Sequence, residues 1–343
     1  MLVGLVYDLR KDYLALGFTE EQTAEFDSED TIEHLDRTIT SLGHRTDRIG
    51  NIRNLTARLV NGDRWDMVFN IAEGMYGRAR EAQVPAILDA FNIPYTFSDP
   101  LVQALTLDKS MTKMIVMHAG LGTPKHWVIN STRGLNNMTE EMFEEHYPLL
   151  IKPLREGTGK GIWEDSVVGN FNDLKRAVLR CLDRFQQPAL VEGYLPGREY
   201  TVGIIGNRSG ARVVGALEIV LQAGSDKGVY SYRNKEECES LVRYVPVREP
   251  AKLKELSILA LKSYRALGLS DAGRVDIREN AKKKPEFIEI NALPGLNPTH
   301  SDLPMICTAF GITYKALIKM ILDSAQSRRE ETFSPIMNAV SLC

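Results

Sequence analysis

Four cysteines, Cys181, Cys238, Cys307 and Cys343, lie scattered along 343 residues with no Cys-x-x-Cys spacing and no neighbouring histidine cluster. That scatter argues against a structural zinc site and for idle or buried thiols in a reducing compartment. An excess of one charge is also lacking. With 42 Lys and Arg against 45 Asp and Glu, the net charge is −3, which supplies no global basic field for non-specific nucleic-acid binding. No apolar run approaches the length of a membrane span, and Met1 leads straight into the short stretch Leu2 to Tyr7 without a basic leader, so a cytoplasmic chain with no membrane partner is expected. Internal repeats, low-complexity tracts and Ser-His-Asp or Cys-His nucleophile signatures are missing as well.

At this length two or three subdomains are expected. Leu2 to Tyr7 is nearly all apolar, as a strand buried on both faces requires. Asp30 with Glu33 marks a helix start, followed by Ile32, Leu35, Ile39 and Leu42 at helical spacing up to Gly43. A strand over Asp66 to Asn70, a loop to Gln83 and a helix opening near Pro85 complete a doubly wound, parallel-sheet α/β pattern over residues 1–100. Residues 101–188 predict a helix over Lys109 to His118, strands over His126 to Asn130 and Pro148 to Pro153, a glycine-rich loop and an amphipathic helix from Phe171 to Phe185. Residues 189–328 predict strands over Ala189 to Tyr194, Glu199 to Ile205 and Arg212 to Leu221, and an aperiodic, mobile loop from Gln222 to Glu239. A helix near Leu253 to Leu267, a hairpin and a last helix over Tyr314 to Ala325 follow. The polar tail, 329–343, is expected to fray. The class is α/β (α+β).

The hairpin, from Gly273 to Asn297, carries the most chemistry. Period-two alternation puts Arg274 and Asp276 on one face of its first strand and Glu289 and Asn291 on one face of its second, with Val275, Ile277, Ile288 and Ile290 opposite. If Ala281 to Lys284 is the turn, Asp276 falls across from Glu289 and Arg274 across from Asn291. Facing carboxylates repel. Either they form a solvated polar face, or a divalent cation bridges them. The oxygen-only set Asp276, Glu289 and Asn291 would then select Mg²⁺ or Mn²⁺ over zinc.

Directly after the strand carrying Lys152 comes Arg155-Glu156-Gly157-Thr158-Gly159-Lys160-Gly161. Alternate glycines let backbone amides approach a polyphosphate, and lysines supply compensating charge. The spacing is neither that of the P-loop nor that of a dinucleotide fingerprint. Alone it is a turn; coupled to Lys109 and a cation site it becomes part of a nucleotide site.

In this order the segments resemble the ATP-grasp carboxylate-amine ligases, and among them the D-alanine-D-alanine ligases. The resemblance rests on Ile93-Pro94-Tyr95-Thr96-Phe97-Ser98-Asp99 with Leu107-Asp108-Lys109, on Lys152-Pro153-Leu154-Arg155-Glu156-Gly157-Thr158, and on Val191-Glu192 with Gly197-Arg198-Glu199-Tyr200-Thr201. Arg274-Val275-Asp276 and Glu289-Ile290-Asn291 with Pro294-Gly295 extend it over nearly the whole chain. It implies an ATP-grasp fold with a Rossmann-like N-terminal domain, ATP and Mg²⁺ (or Mn²⁺) as cofactors, and amide formation through an acyl phosphate. By that resemblance Glu192 and the Leu195 backbone meet the adenine and Glu199 the ribose. Lys109, Lys152, Lys235 and the loop residues Glu156, Gly157, Thr158 and Gly159 hold phosphates. Asp276, Glu289 and Asn291 bind two Mg²⁺ ions, Arg274 stabilises an oxyanion, and Gly295 with Ser301 receives the acceptor's carboxylate. Small amino-acid-like substrates are the implied partners, and a homodimer is suggested.

Three segments depart from the family pattern. Its Gly-Gly-x-Ser-x-Glu run is replaced by Val6-Tyr7-Asp8-Leu9-Arg10-Lys11, and its His-Gly…Gly-Glu-Asp-Gly loop by Ala72-Glu73-Gly74-Met75-Tyr76-Gly77-Arg78-Ala79-Arg80-Glu81; Glu236 follows Lys235 where the family has Tyr. A rebuilt donor pocket is expected, lined by Asp8, Glu73 and Arg80, with either carboxylate receiving an ammonium and Arg80 forking onto a carboxylate. Arg80 and Glu81 could instead be a charge pair at a helix start. Two other functions share the architecture: a ligase or carboxylase with a non-amino-acid acceptor, and an ATP-binding module without turnover.

Overall fold

Three sheets organise the computed structural model, which describes residues 1–226 and 228–340, with side chains as far as 328. The first is parallel, in the order β2-β1-β3, from β1 (Leu2–Val6), β2 (Arg45–Gly50) and β3 (Met67–Asn70). Its apolar centre was legible, but β2 was not, because this edge strand reads Arg-Thr-Asp-Arg. Its charges are paired sideways: Arg58 from the helix Ile52–Val60 forks onto Asp47 at 2.8 and 2.7 Å. The helix Glu29–Ser41 starts at Ser28, whose hydroxyl accepts the Thr31 N–H, two residues before the expected Asp30. It stops before Gly43, at φ +89°.

The second sheet has the order β4-β7-β5-β6, from β4 (His126–Ile129), β5 (Leu149–Pro153), β6 (Val167–Val168) and β7 (Ala189–Gly193). The helix Phe171–Phe185 packs on it, capped by Asn170. The expected division at residue 188 cuts this sheet. β7 pairs with both β4 and β5, so the central layer extends to Gly193.

The third sheet runs β10-β9-β8-β11-β12, from β8 (Glu199–Ile205), β9 (Arg212–Leu221), β10 (Val242–Pro246), β11 (Ala272–Glu279) and β12 (Pro285–Asn291). In its hairpin Arg274 faces Asn291 and Asp276 faces Glu289, the expected register. A β-bulge then shifts the pairing, so that Ile277 faces Phe287. This corrects one side chain: Phe287 is buried in the core, and Ile288 lines the nearby cleft. The segment from Gln222 to Glu239 is not wholly irregular, since it carries the short helix Tyr232–Glu236.

The first sheet is not closed by its own helices. Val3, Leu5, Ile39, Phe69 and Phe97 share one core with Leu303 and Ile306 of the helix Asp302–Ala309 and with Leu317, Ile318 and Ile321 of the helix Tyr314–Val340. That last helix runs past the expected Ala325 and through most of the expected tail; residues 341–343 lie outside the described residues. No single described helix is long and apolar enough to cross a membrane. Cys181 and Cys307 are buried and Cys238 half-buried, with no disulfide among the described residues, while Cys343 lies outside them.

Candidate active site

β5 and β7 put Lys152 and Glu192 side by side, 2.7 Å apart, and Lys113 from the helix Lys109–His118 reaches the other Glu192 oxygen at 2.9 Å. All three are buried. Burial opposes ionisation of Glu192, yet the two lysines outweigh it and hold the carboxyl at about 2. Glu192 is thus no surface carboxylate. Lys113 was missed, although its spacing of four from Lys109 puts both on one helical face.

Between this sheet and the third lies a cleft of about 70 Å³, lined by Lys152, Glu192, Leu195, Glu199, Lys235 and Arg278 among others. Arg278 donates to Glu199 at 3.2 Å. Lys235, on the short helix, sits with its Nζ 4.6 Å from the centre of the Tyr230 ring and faces both this cleft and a larger cavity.

The glycine-rich loop closes one end. Gly157 N–H donates to Glu25 Oε1 at 2.6 Å, and Lys160 and Arg80 reach Glu25 Oε2 at 2.8 and 2.9 Å. Burial of Glu25 is outweighed by Arg80 and Lys160, holding it at about 2. Glu25 also escaped the sequence reading, because its loop partner Gly157 lies 132 residues away and no local pattern links them. Glu156 pairs with Lys160, and its carbonyl accepts Lys109 Nζ at 2.5 Å. Thr158 has φ +48°, its hydroxyl buried and without a hydrogen-bond partner among the described residues. Gly159, at φ +71°, lies so close under the covering segment that a Cβ there would stand 2.8 Å from Ser231 C and Tyr232 N.

On the hairpin, Arg274 grips Asp276 through two bonds of 3.1 and 3.0 Å and turns its third nitrogen to Asp302 at 2.6 Å. Two carboxylates therefore fix the plane of one guanidinium. Nothing local marked Asp302. Burial pushes Asp276 up, Arg274 opposing and Glu289 adding to it. Glu289 moves the other way: burial is outweighed by Lys109, Lys152 and Lys235, which hold it at about 2. Lys109 Nζ lies 3.6 Å from Glu289. Asp276, Glu289 and Asn291 form an all-oxygen set, and the Asn291 amide nitrogen is buried without a partner among the described residues. Among the described residues no three His, Cys, Asp or Glu side chains converge on a metal position. Two carboxylates and an amide fit Mg²⁺, which takes few protein ligands and completes its shell with phosphates and water.

The larger cavity, about 440 Å³, runs from Gly157 and Thr158 past Arg274 and Asn291 to Gly295 and Ser301. Those last two lie against each other, for a Cβ on Gly295 would stand 2.7 Å from Ser301 Oγ. Its far wall corrects two expectations. Asp8 lies outside the lining: it is 2% exposed and already accepts the Tyr13 hydroxyl at 2.5 Å and Gly74 N–H at 2.9 Å. Arg80 is spent on Glu25 and on the Arg155 carbonyl, at 2.9 Å each, rather than on a free carboxylate or a helix-start pair. Glu73 does line the wall, together with Asp27 and Glu81. Burial, reinforced by Glu81 and Glu25, raises Glu73 well above the carboxylate range. Asp27 and Glu81 are pushed to about 7, again chiefly by burial.

The fold is that of the ATP-grasp ligases. The D-alanine-D-alanine ligase from Bacillus anthracis, in a crystal structure complexed with ATP, matches with a TM-score of 0.73 over 96% of this chain and 99% of that one, at 21% identity. The D-ala D-ala ligase C-terminus family matches residues 115–323. The D-alanine-D-alanine ligase of Bordetella petrii is 31% identical over 276 residues, 80% of this chain and 79% of that protein. That of Aquifex aeolicus is 30% identical over 286 residues, 83% and 91% of the two chains. This chain belongs to the D-alanine-D-alanine ligase family, and is an ATP-dependent, ADP-forming carboxylate-amine ligase.

Proposed function

We propose that the chain joins two amino-acid-like substrates through an acyl phosphate, D-alanyl-D-alanine being one candidate product. The observation that carries this reading is the single cavity in which the glycine-rich loop, Arg274, Asn291, Gly295 and Ser301 meet. The adenine goes to Glu192 and the Leu195 backbone, the ribose to Glu199, and the phosphates to Lys109, Lys152, Lys235 and the Glu156 to Gly159 loop. Glu192, kept ionised by its lysines, can only accept hydrogen bonds. A donor carboxylate oxygen attacks the γ-phosphorus and ADP leaves; the acceptor's amine then attacks the acyl carbon and phosphate leaves. Arg274 is a permanent cation whose orientation Asp276 and Asp302 hold, suited to the oxyanion of the second step. Asp276, Glu289 and Asn291 would hold Mg²⁺ or Mn²⁺, which when bound neutralises phosphate charge.

Gly295 and Ser301 receive the acceptor's carboxylate, and Glu73 the donor's ammonium. The water-sensitive acyl phosphate is shielded by the glycine-rich loop and the covering 222–239 segment. Unpaired Cys181, Cys238 and Cys307 support a cytoplasmic setting. The test is ADP release with Mg²⁺ over a panel of D- and L-amino acids, singly and in pairs. Stimulation by an amino-acid pair is expected; none with any amino acid would overturn the reading.

A further inference from the structure

Arg278 lies on β11 two residues beyond Asp276 and lines the nucleotide cleft. Its guanidinium bonds in four directions at once. Nη1 donates to Glu199 Oε2 at 3.2 Å, and Nε to the Gly197 carbonyl at 3.2 Å. Nη2 donates to the Tyr194 hydroxyl at 3.1 Å and to the Gly228 carbonyl at 2.9 Å. The Tyr194 hydroxyl donates to that same Gly228 carbonyl at 2.7 Å, and the Tyr194 ring centre lies 4.9 Å from the guanidinium carbon.

These partners belong to two different parts of the fold. Tyr194, Gly197 and Glu199 form the floor between β7 and β8, while Gly228 is on the segment that covers the cleft and carries Tyr230 and Lys235. Glycine is required at the meeting point: φ is +76°, and a Cβ there would stand 2.8 Å from the Tyr194 hydroxyl. Arg278 holds only one oxygen of Glu199; among the described residues Oε1 accepts no hydrogen bond, which leaves it for a ligand hydroxyl.

We infer that Arg278 is a positioning residue that couples ribose binding at Glu199 to the seating of the Gly228 cover, and through it of Lys235, over the phosphates. The inference rests on the cleft being the nucleotide site. A ribose hydroxyl on Glu199 fixes the carboxylate, the fixed carboxylate holds the guanidinium, and the guanidinium holds the Gly228 carbonyl. Ligands with an intact ribose are therefore favoured over 2′,3′-dideoxy analogues, beyond the loss of one direct contact, because the cover is released as well.

The test uses the full chain, with Arg278→Met, Arg278→Lys and, from the other side of the latch, Gly228→Ala. Protease cleavage within 222–239 is timed with no nucleotide, with a non-hydrolysable ATP analogue and with its 2′,3′-dideoxy form, while calorimetry reads nucleotide binding without any amino acid. In the unmodified chain the ribonucleotide should slow cleavage roughly tenfold or more, the worth of a charged hydrogen bond, and the dideoxy form should protect little. Arg278→Met and Gly228→Ala should lose that protection and raise the Kd of the ribonucleotide by a similar factor while leaving that of the dideoxy form nearly unchanged; Arg278→Lys should restore part of both. Equal protection in Arg278→Met and in the unmodified chain, or equal protection by the two analogues, would overturn the coupling. Absence of nucleotide binding in the unmodified chain would overturn the cleft assignment itself. Because no amino acid enters the proteolysis and calorimetry, a wrong donor or acceptor in the ligase reading would leave their outcome untouched.

Discussion

Replacing Glu192 by Gln should destabilise the protein far more than removing either lysine beside it. The carboxylate lies buried between Lys113 and Lys152, at 2.9 and 2.7 Å, and its pKa falls from an ordinary 4.5 to about 2. A folded pKa below the unfolded one means stability that is fully present above about pH 4.5 and drains away as pH falls toward 2. That shift corresponds to about 3 kcal/mol at pH 7 and about 2 kcal/mol near pH 3.5, in line with the cost of breaking a buried ion pair. Glu192→Gln takes from two buried ammonium groups the one carboxylate that both of them contact. Lys113→Met leaves a neutral Glu192–Lys152 pair, and should cost roughly 1 kcal/mol. The double variant should lose less than the sum, since the three groups share one network. Urea midpoints at both pH values, without nucleotide, measure all of this. A Glu192→Gln cost under about 1 kcal/mol, or one no larger than that of Lys113→Met, would refute the triad argument.

Asp276→Asn should abolish ADP release while the thermal midpoint in metal-free buffer holds or rises, because Arg274 keeps Asp302 at 2.6 Å and a repelling charge is gone; retained turnover would exclude Asp276 from the metal set. Gly159→Ala should force the cover outward, raising the ATP KM roughly tenfold or more through strain at φ +71° and the 2.8 Å clash with Ser231 and Tyr232; an unchanged KM would show that the two segments separate during turnover. Glu81 has its folded pKa raised to about 7, so its ionisation opposes folding once pH exceeds the unfolded value. Glu81→Gln should therefore raise the denaturation midpoint at pH 8 and leave it nearly unchanged at pH 4, and a gain confined to acid would contradict the burial argument.

The hairpin register was legible because alternation is rigid and Lys282, Lys283 and Lys284 mark the turn. The helix Phe171–Phe185 was legible because its apolar face repeats cleanly behind Asn170. What stayed hidden has physical causes. β2 is a polar edge strand whose stability comes from charges on neighbouring helices, so it shows no apolar period. The β-bulge after Asp276 puts Phe287 where strict alternation places Ile288, and no composition rule signals one extra residue. In the site, residues in the long motifs line one cleft and the cavity beside it. Glu25, Arg278 and Asp302 are single polar residues, each given its role by partners remote in the chain. Asp8 and Arg80 had the right chemistry for a substrate but find protein partners first, which only packing reveals.

The core that Val3, Leu5 and Phe69 share with Leu317, Ile318 and Ile321 has a consequence for biosynthesis. These strands leave the ribosome well before the helix Tyr314–Val340 and cannot finish burying their apolar face until it has been made. At typical elongation rates of roughly 5 to 20 residues per second, that interval is on the order of 15 to 60 seconds. During it the nascent first sheet is a natural client for a holding chaperone, and a message cut short before the codons for Tyr314 would leave that core without Leu317, Ile318 and Ile321.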